Sequence, residues 1–278
     1  MKDSSIPITV VVPVKNEELS IAACLSRLTR FKQVIVVDSH SSDRTCEIAV
    51  YYGAEVIQFD WNGRFPKKRN WLLLNKKLQS EWVLFLDADE LVSDQFCDAA
   101  EIAVRSKDCQ GYWLRYDTHF LGRRLRHGVP QRKLALFRVG FLYEEVEENA
   151  WSSLDMEVHE HPIIVGPVGE IAEKVDHNDD RGLAKFIDRH RQYASWEAER
   201  TMQVLGVYED RKNKLSPRQR AKYRFILRWW FSPAYLVYDL IIRLGVLDGT
   251  AGVYRALYKS WYFMTIRLLV LERQRERG

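Results

Sequence analysis

Asp87, Ala88 and Asp89 close the apolar run WVLFLDAD at 82–89, and two further runs end in acid. IPITVVVPV at 6–14 is followed by Glu17 and Glu18, and VIVVDS at 34–39 carries Asp38, with Asp43 just beyond. Alternate side chains of an extended strand face one way, so Asp87 and Asp89 are expected to present two carboxylates to one space. Hard divalent cations suit that arrangement, because Mg2+ or Mn2+ binds one or two carboxylates and fills its other positions with water and diphosphate oxygens. A D-x-D pair alone occurs in many acidic loops; three acid-tipped runs in succession make it specific.

The runs at 6–14, 34–39 and 82–89 read as buried parallel strands. Between them, Leu19, Ala22, Ala23, Leu25 and Leu28 give a helical pattern over 17–30, and Thr45, Ile48, Ala49 and Tyr52 another over 43–52. Strand alternating with helix implies βαβ units with right-handed crossovers and a ligand at the carboxyl ends of the strands. The middle region, 111–175, holds shorter runs (KLALFR, PIIVG) and reads as mixed sheet plus loops over the same site. A helix returns over 182–204, with Leu183, Phe186, Ile187, His190, Tyr193 and Trp196 on one face. His190 there reads as a core or groove residue, Trp196 as packing ahead of a platform for a sugar face, and KNKLSPRQR at 212–220 as a hinge.

Composition narrows the chemistry. The chain has 278 residues, 46% apolar and 29% charged, which fits one large α/β domain or a domain plus an appendage. The first strand ends in PVKNEE, so neither a G-x-G-x-x-G turn nor a Walker A loop can cradle a nucleotide there. Seven histidines form no H-E-x-x-H, which excludes a zincin site, and Cys24, Cys46, Cys97 and Cys109 form no C-x-x-C, so a reducing compartment is expected. Residues 1–14 show no apolar segment ending in a small-residue cleavage site, so no secretory leader is expected.

The run VVVPVKNEE, then VIVVDSHSSDRT, KKRNWLL and WVLFLDADE, resembles the family 2 glycosyltransferases of GT-A fold, in the branch of bacterial lipopolysaccharide-core and exopolysaccharide sugar transferases. RKLALFR (132–138), VHEHP (158–162), FIDRHRQYASWEA (186–198) and LGVLDGTAG (244–252) continue the likeness more loosely. The resemblance implies an α/β fold with a mostly parallel, Rossmann-like sheet and an inverting, metal-dependent transfer of a hexose from a UDP-sugar, UDP-glucose or UDP-galactose. By position, Pro13, Asn16 and Glu17 match residues lining the nucleoside pocket, Asp38 the acid that reads uracil or ribose, and Asp43 a second acid of that loop. Lys68, Arg69 and Asn70 match a stretch beside the nucleotide or its phosphates. Asp87 and Asp89 match the D-x-D that bridges ribose, metal and diphosphate, with Asp89 also counted as catalytic, and His177 matches a third contact to metal or diphosphate; His159 could do the same. Mn2+ or Mg2+ would stabilise the leaving UDP. Glu160 matches the general base that takes the acceptor proton, with Asp155 and Glu157 as rivals.

The charge is uneven. Residues 211–278 carry 15 basic and 4 acidic residues, a net +11, against −7 for residues 1–210. The aromatic residues Tyr223, Phe225, Trp229, Trp230, Phe231, Tyr235 and Tyr238 are interleaved with these cations, a composition suited to an anionic lipid interface. The sequence therefore implies a catalytic domain at 1–210, with a nucleotide-binding half to about 110 and an acceptor half beyond it. Two amphipathic helices at 211–278 would follow, binding membrane or a second copy. The expected partners are a UDP-sugar donor and a lipid-linked saccharide acceptor, without nucleic acid, at the inner face of the cytoplasmic membrane. Two other readings are weighed: a phosphohydrolase using Asp87 and Asp89, disfavoured because Glu90 rather than Thr follows and the pair lies on the third run, and an inactive membrane scaffold of the same fold.

Overall fold

The computed structural model describes residues 5–63, 66–106, 108–144, 161–178, 182–206 and 217–277. Two compact units are present: residues 1–118 with 131–178, and residues 119–130 with 179–278.

The first unit is built on a mixed sheet in the order β3-β2-β1-β4-β8-β6-β9-β5. Strand β1 (Ile6–Val14) lies inside it, parallel to β2 (Phe31–Asp38) and to β4 (Trp82–Phe85), with β3 (Glu55–Gln58) parallel to β2 on the outer side. Both faces of β1 are covered, which is why its sequence is a continuous β-branched run. Val10, Val12 and Val14 join one core with Ile21, Leu25 and Phe96. Val11 joins the other with Ile35, Val37, Phe59, Leu72 and Phe85. The helices α1 (Ile21–Ser26), α2 (Thr45–Tyr51), α3 (Lys68–Asn75) and α4 (Asp94–Arg105) fill the connections.

The antiparallel half comes from the middle region, as its short runs imply. Strand β8 (Arg132–Arg138) runs antiparallel to β4, and β6 (Gly111–Phe120) antiparallel to β8. Strand β9 (Val168–His177) is parallel to β6, and the short β5 (Glu90–Leu91) pairs antiparallel with its end, Glu90 opposite His177. The short β7 (Arg123–Leu125) pairs with β6.

Two boundaries depart from the sequence pattern. The strand expected over 82–89 stops at Phe85, and 87–90 form a turn closed by the Glu90 N–H on the Asp87 carbonyl at 3.0 Å. The helix expected over 17–30 begins only at Ile21, because the Glu17 carbonyl is taken by the N–H groups of Ser20 and Ile21 in a preceding turn.

The second unit is helical. Helix α5 (Leu183–Gly206) packs with α6 (Pro217–Phe225), α7 (Phe231–Val237) and the long α8 (Gly249–Arg277) around Ala194, Ala198, Ile226, Tyr262, Ile266 and Val270. Glu197, buried on α5, pairs with Lys222 at 2.6 Å, which fixes α6 against α5. The unit holding the C-terminal helices thus begins before residue 211, because α5 supplies the surface on which α8 buries its apolar face. Pro217 opens α6, where its missing N–H costs nothing, so the end of the expected hinge is the first turn of a helix. Between α7 and α8 the chain makes a π-helical turn (Tyr238–Ile242) and a 3-10 turn (Gly245–Asp248). Gly252 lets α8 start against that turn, since a Cβ there would sit 2.1 Å from the Gly245 carbonyl. Among the described residues no helix is long and apolar enough to cross a membrane.

Candidate active site

The carboxyl ends of β1 and β2 are stitched together by their own polar residues. Asn16, at φ +56, donates its N–H to Ser41 Oγ at 2.8 Å and accepts the Ser42 N–H at 2.8 Å. The Glu17 N–H reaches Thr45 Oγ1 at 2.8 Å, and the Glu18 N–H reaches Asp43 at 3.2 Å. Asp43 also accepts the Thr45 N–H at 3.0 Å and its hydroxyl at 2.5 Å. Asp38 is fully buried and accepts from the Ser41 N–H at 2.9 Å, the Ser41 hydroxyl at 2.5 Å and the Cys46 thiol at 3.1 Å. Burial works to raise its pKa, but the bonds from Ser41 and Cys46 outweigh it and hold the carboxyl below the usual range. Asp38 and Asp43 thus give this loop its shape, with Pro13 one residue inside the end of β1.

Helix α3 delivers three consecutive residues to different tasks. Lys68 is buried and donates to the Val14 carbonyl at 3.0 Å, at the tip of β1. Asn70 is also buried and clamps the backbone of Tyr143, donating to its carbonyl at 3.0 Å and accepting its N–H at 2.8 Å. Arg69 lies over the Tyr143 ring, 5.1 Å from its centroid, and reaches Asp87 at 3.5 Å.

Because 87–90 form a turn and not a strand, the two aspartates face different neighbours. The Asp87 carboxylate lies 2.5 Å from Lys133 Nζ, the other oxygen toward Arg69. Lys133 also pairs with Glu90, whose side chain is wholly buried. The second Glu90 oxygen accepts the Asp87 N–H at 3.1 Å and the Tyr116 hydroxyl at 3.4 Å. Burial disfavours the Asp87 charge, yet Lys133 and Arg69 hold its carboxyl well below the ordinary range. Burial pushes Glu90 up to about 7, with Lys133 pulling down and Asp87 adding to the rise. Lys133 stays charged: burial opposes it, but Asp87 and Glu90 together raise its pKa well above the ordinary value.

Asp89 faces the end of β9, where His177 Nε2 lies 3.6 Å from its carboxylate. The His177 Nδ1 is buried without a hydrogen-bond partner, and the ring stands edge-on to Tyr116. Among the described residues no group of three or more His, Cys, Asp and Glu side chains is arranged to hold a metal ion. An oxygen and a nitrogen donor from Asp89 and His177 do fit a small divalent cation that takes its other ligands from water and diphosphate. The structure therefore brings together Asp87, Asp89, His177 and Arg69, while Lys68 reaches the Val14 carbonyl and Asn70 the backbone of Tyr143. Glu160, Asp155, Glu157 and His159 lie outside the described residues.

Glu90, Lys133 and Tyr116 were missed from the sequence as parts of this cluster. A signal existed: DADE places three carboxylates within four residues after a buried strand, and such density calls for a cation. RKLALFR supplies one where its alternation enters the sheet.

The sequence profile of glycosyl transferase family 2 matches residues 9–149, which takes in the carboxyl ends of β1, β2 and β4, the 87–90 turn and Lys133, but not His177 at the end of β9. The chain belongs to glycosyl transferase family 2. An uncharacterized glycosyltransferase of Rickettsia typhi is 34% identical over 115 residues, 41% of this chain and 38% of that protein. Another, of Rickettsia felis, is 23% identical over 237 residues, 83% and 79% of the two chains. Among solved structures, Staphylococcus aureus TarS 1–349 aligns over 97% of this chain and 91% of that one at 15% identity, with a TM-score of 0.44. Glucosyl-3-phosphoglycerate synthase of Mycobacterium tuberculosis, in complex with Mn2+, UDP and glucosyl-3-phosphoglycerate, aligns over 39% and 43% at 23% identity, with a TM-score of 0.33. In family 2 terms, the acid-tipped parallel half of the sheet and the D-x-D turn fall inside the matched residues, while α5 to α8 fall beyond them.

Proposed function

We propose that this chain is an inverting, metal-dependent glycosyltransferase that moves a hexose from a UDP-sugar, UDP-glucose or UDP-galactose, to a lipid-linked saccharide of the lipopolysaccharide or exopolysaccharide kind. The carrying observation is the Asp89–His177 pair at 3.6 Å, beside an Asp87 whose charge is already balanced by Lys133 and Arg69. Asp89 and His177 would hold Mn2+ or Mg2+, with Asp87 alongside. Once bound, the ion would neutralise charge that develops on the diphosphate as the sugar leaves.

The chain's own residues supply the rest. Arg69 and Lys133 fix the Asp87 carboxylate in place, so that one face of it remains for a ribose hydroxyl or a metal-bound group. The loop shaped by Asp38 and Asp43 and closed by Asn16 would receive the nucleoside, with Pro13 and Glu17 at its rim and Lys68 and Asn70 supporting the strand ends behind it. Glu160 would take the acceptor proton as the hydroxyl attacks the anomeric carbon, with Asp155 and Glu157 as the competing carboxylates. In domain terms, residues 1–210 would carry catalysis, and the basic helices at 211–278 would hold the enzyme at the inner face of the cytoplasmic membrane or to a second copy. Asp87 as a phosphohydrolase nucleophile gains no support, since its carboxylate is engaged by Lys133 and Arg69.

The test is titration of UDP with Mn2+ present. Asp89→Asn and His177→Ala are each expected to lower affinity by about tenfold or more; unchanged affinity would remove that residue from the metal site. Glu160→Gln is expected to bind UDP normally and to lose about 10²–10⁴-fold in transfer. Normal turnover would pass the base role to Asp155 or Glu157.

A further inference from the structure

Between residues 217 and 271 the sequence holds two acidic residues, Asp239 and Asp248, and both are turned inward, with side chains 2% and 6% exposed. Asp239 accepts the Val129 N–H at 2.6 Å and lies 4.0 Å from Arg255. Asp248 accepts the N–H groups of Arg126 at 3.1 Å and His127 at 2.9 Å, and lies 3.0 Å from His127 Nδ1. The Arg243 carbonyl takes the Gly128 N–H at 2.8 Å. The two turns between α7 and α8 are therefore fastened from behind to the 126–129 segment of the same unit.

On the outside of this fastened frame stand Val237 (52% exposed), Ile241 (61%), Ile242 (66%), Leu244 (49%), Val246 (51%) and Leu247 (63%). A loose chain end exposes aliphatic groups by fraying; here buried carboxylates and a left-handed Leu244, at φ +58, hold them in solvent. Exposed apolar patches of this kind mark interaction sites. Arg243 lies within the patch, and Arg224 and Arg228, both exposed, precede it with Trp229 at 74% exposure. A twofold contact with a second copy would lay this face on itself, bringing like charges together with no exposed carboxylate of this stretch to pair them. An anionic bilayer offers acyl chains to the aliphatic groups and opposite charge to the arginines.

We propose that the knuckle at 237–247 inserts its aliphatic side chains into an anionic lipid bilayer, with Arg243 against the headgroups. The inference rests on the membrane half of the proposed function and not on its chemistry. The experiment is flotation of the full chain with vesicles of phosphatidylcholine alone and of phosphatidylcholine with phosphatidylglycerol. The wild-type chain is expected to float with the mixed vesicles and to stay down with the neutral ones. Each aliphatic insertion contributes about tenfold in partitioning, so Ile241→Ser with Leu247→Ser is expected to lose about a hundredfold at an unchanged melting temperature. If that pair melts lower, Ile242→Ser alone carries the test, with a loss of about tenfold. A double variant that floats like the wild type would overturn the knuckle assignment. One that floats normally but no longer self-associates in sedimentation would place a second copy there instead. Failure of the wild-type chain to float would overturn both this inference and the membrane half of the function, while UDP titration judges the chemistry separately.

Discussion

Lys133 shows how much one half-buried cation can organise. It joins Asp87, on which the proposed donor site depends, to Glu90, which braces the turn through the Asp87 N–H and Tyr116. Replacing it by Met leaves two acidic groups facing each other with Glu90 wholly buried, so Lys133→Met is expected to cost about 3 kcal/mol of stability, read from urea midpoints. Lys133→Arg should recover most of that loss; a Met variant as stable as the wild type would show that Arg69 alone balances Asp87. Single residues were legible in the sequence only in part. The acids announced themselves by standing after apolar runs, whereas Lys133 lies over 40 residues from its partners and is brought to them by the β4–β8 pairing.

At the scale of elements, the parallel half of the sheet was readable because β1, β2 and β4 are buried on both faces and so are continuous apolar runs. The Asp87–Asp89 turn was not, because acids that follow an apolar run fit the end of a strand as well as a turn, and the turn is set by the paired bonds between Asp87 and Glu90. The place of His177 depends on β9 pairing with β5, a contact across 87 positions of sequence with no local signature. The turns between α7 and α8 carry two element-level expectations. Gly252→Ala drives a Cβ into the Gly245 carbonyl and is expected to destabilise the helical unit by about 1–3 kcal/mol, measured by chemical denaturation. Burial would raise the Asp248 carboxyl, but the bonds from His127 and Arg126 hold it below the usual range. Its contribution is therefore complete above the ordinary carboxylate value of about 4 and is lost as pH falls through its lower folded-state value. Asp248→Asn should begin less stable at neutral pH and show a shallower acid loss by tryptophan fluorescence; parallel curves for both proteins would remove Asp248 as the source.

For the whole molecule, two compact units differ in composition. The first places acids and a few buried cations at strand ends; the second turns cations and aliphatic groups outward and its two mid-helix-region acids inward. The net +11 of residues 211–278 was visible in the sequence, but the inward turn of Asp239 and Asp248 was not, since it arises from bonds to 126–129. The proposed donor site and the proposed lipid contact, carried on one chain, would suit an enzyme whose acceptor is attached to a membrane. The measurement that tests the central claim most directly is isothermal titration of UDP into the full chain with and without Mn2+. The account predicts Mn2+-dependent binding that Asp89→Asn weakens by about tenfold or more, with GDP and CMP bound poorly. Equal UDP affinity with and without the metal, or no binding of any of these nucleotides, would contradict it.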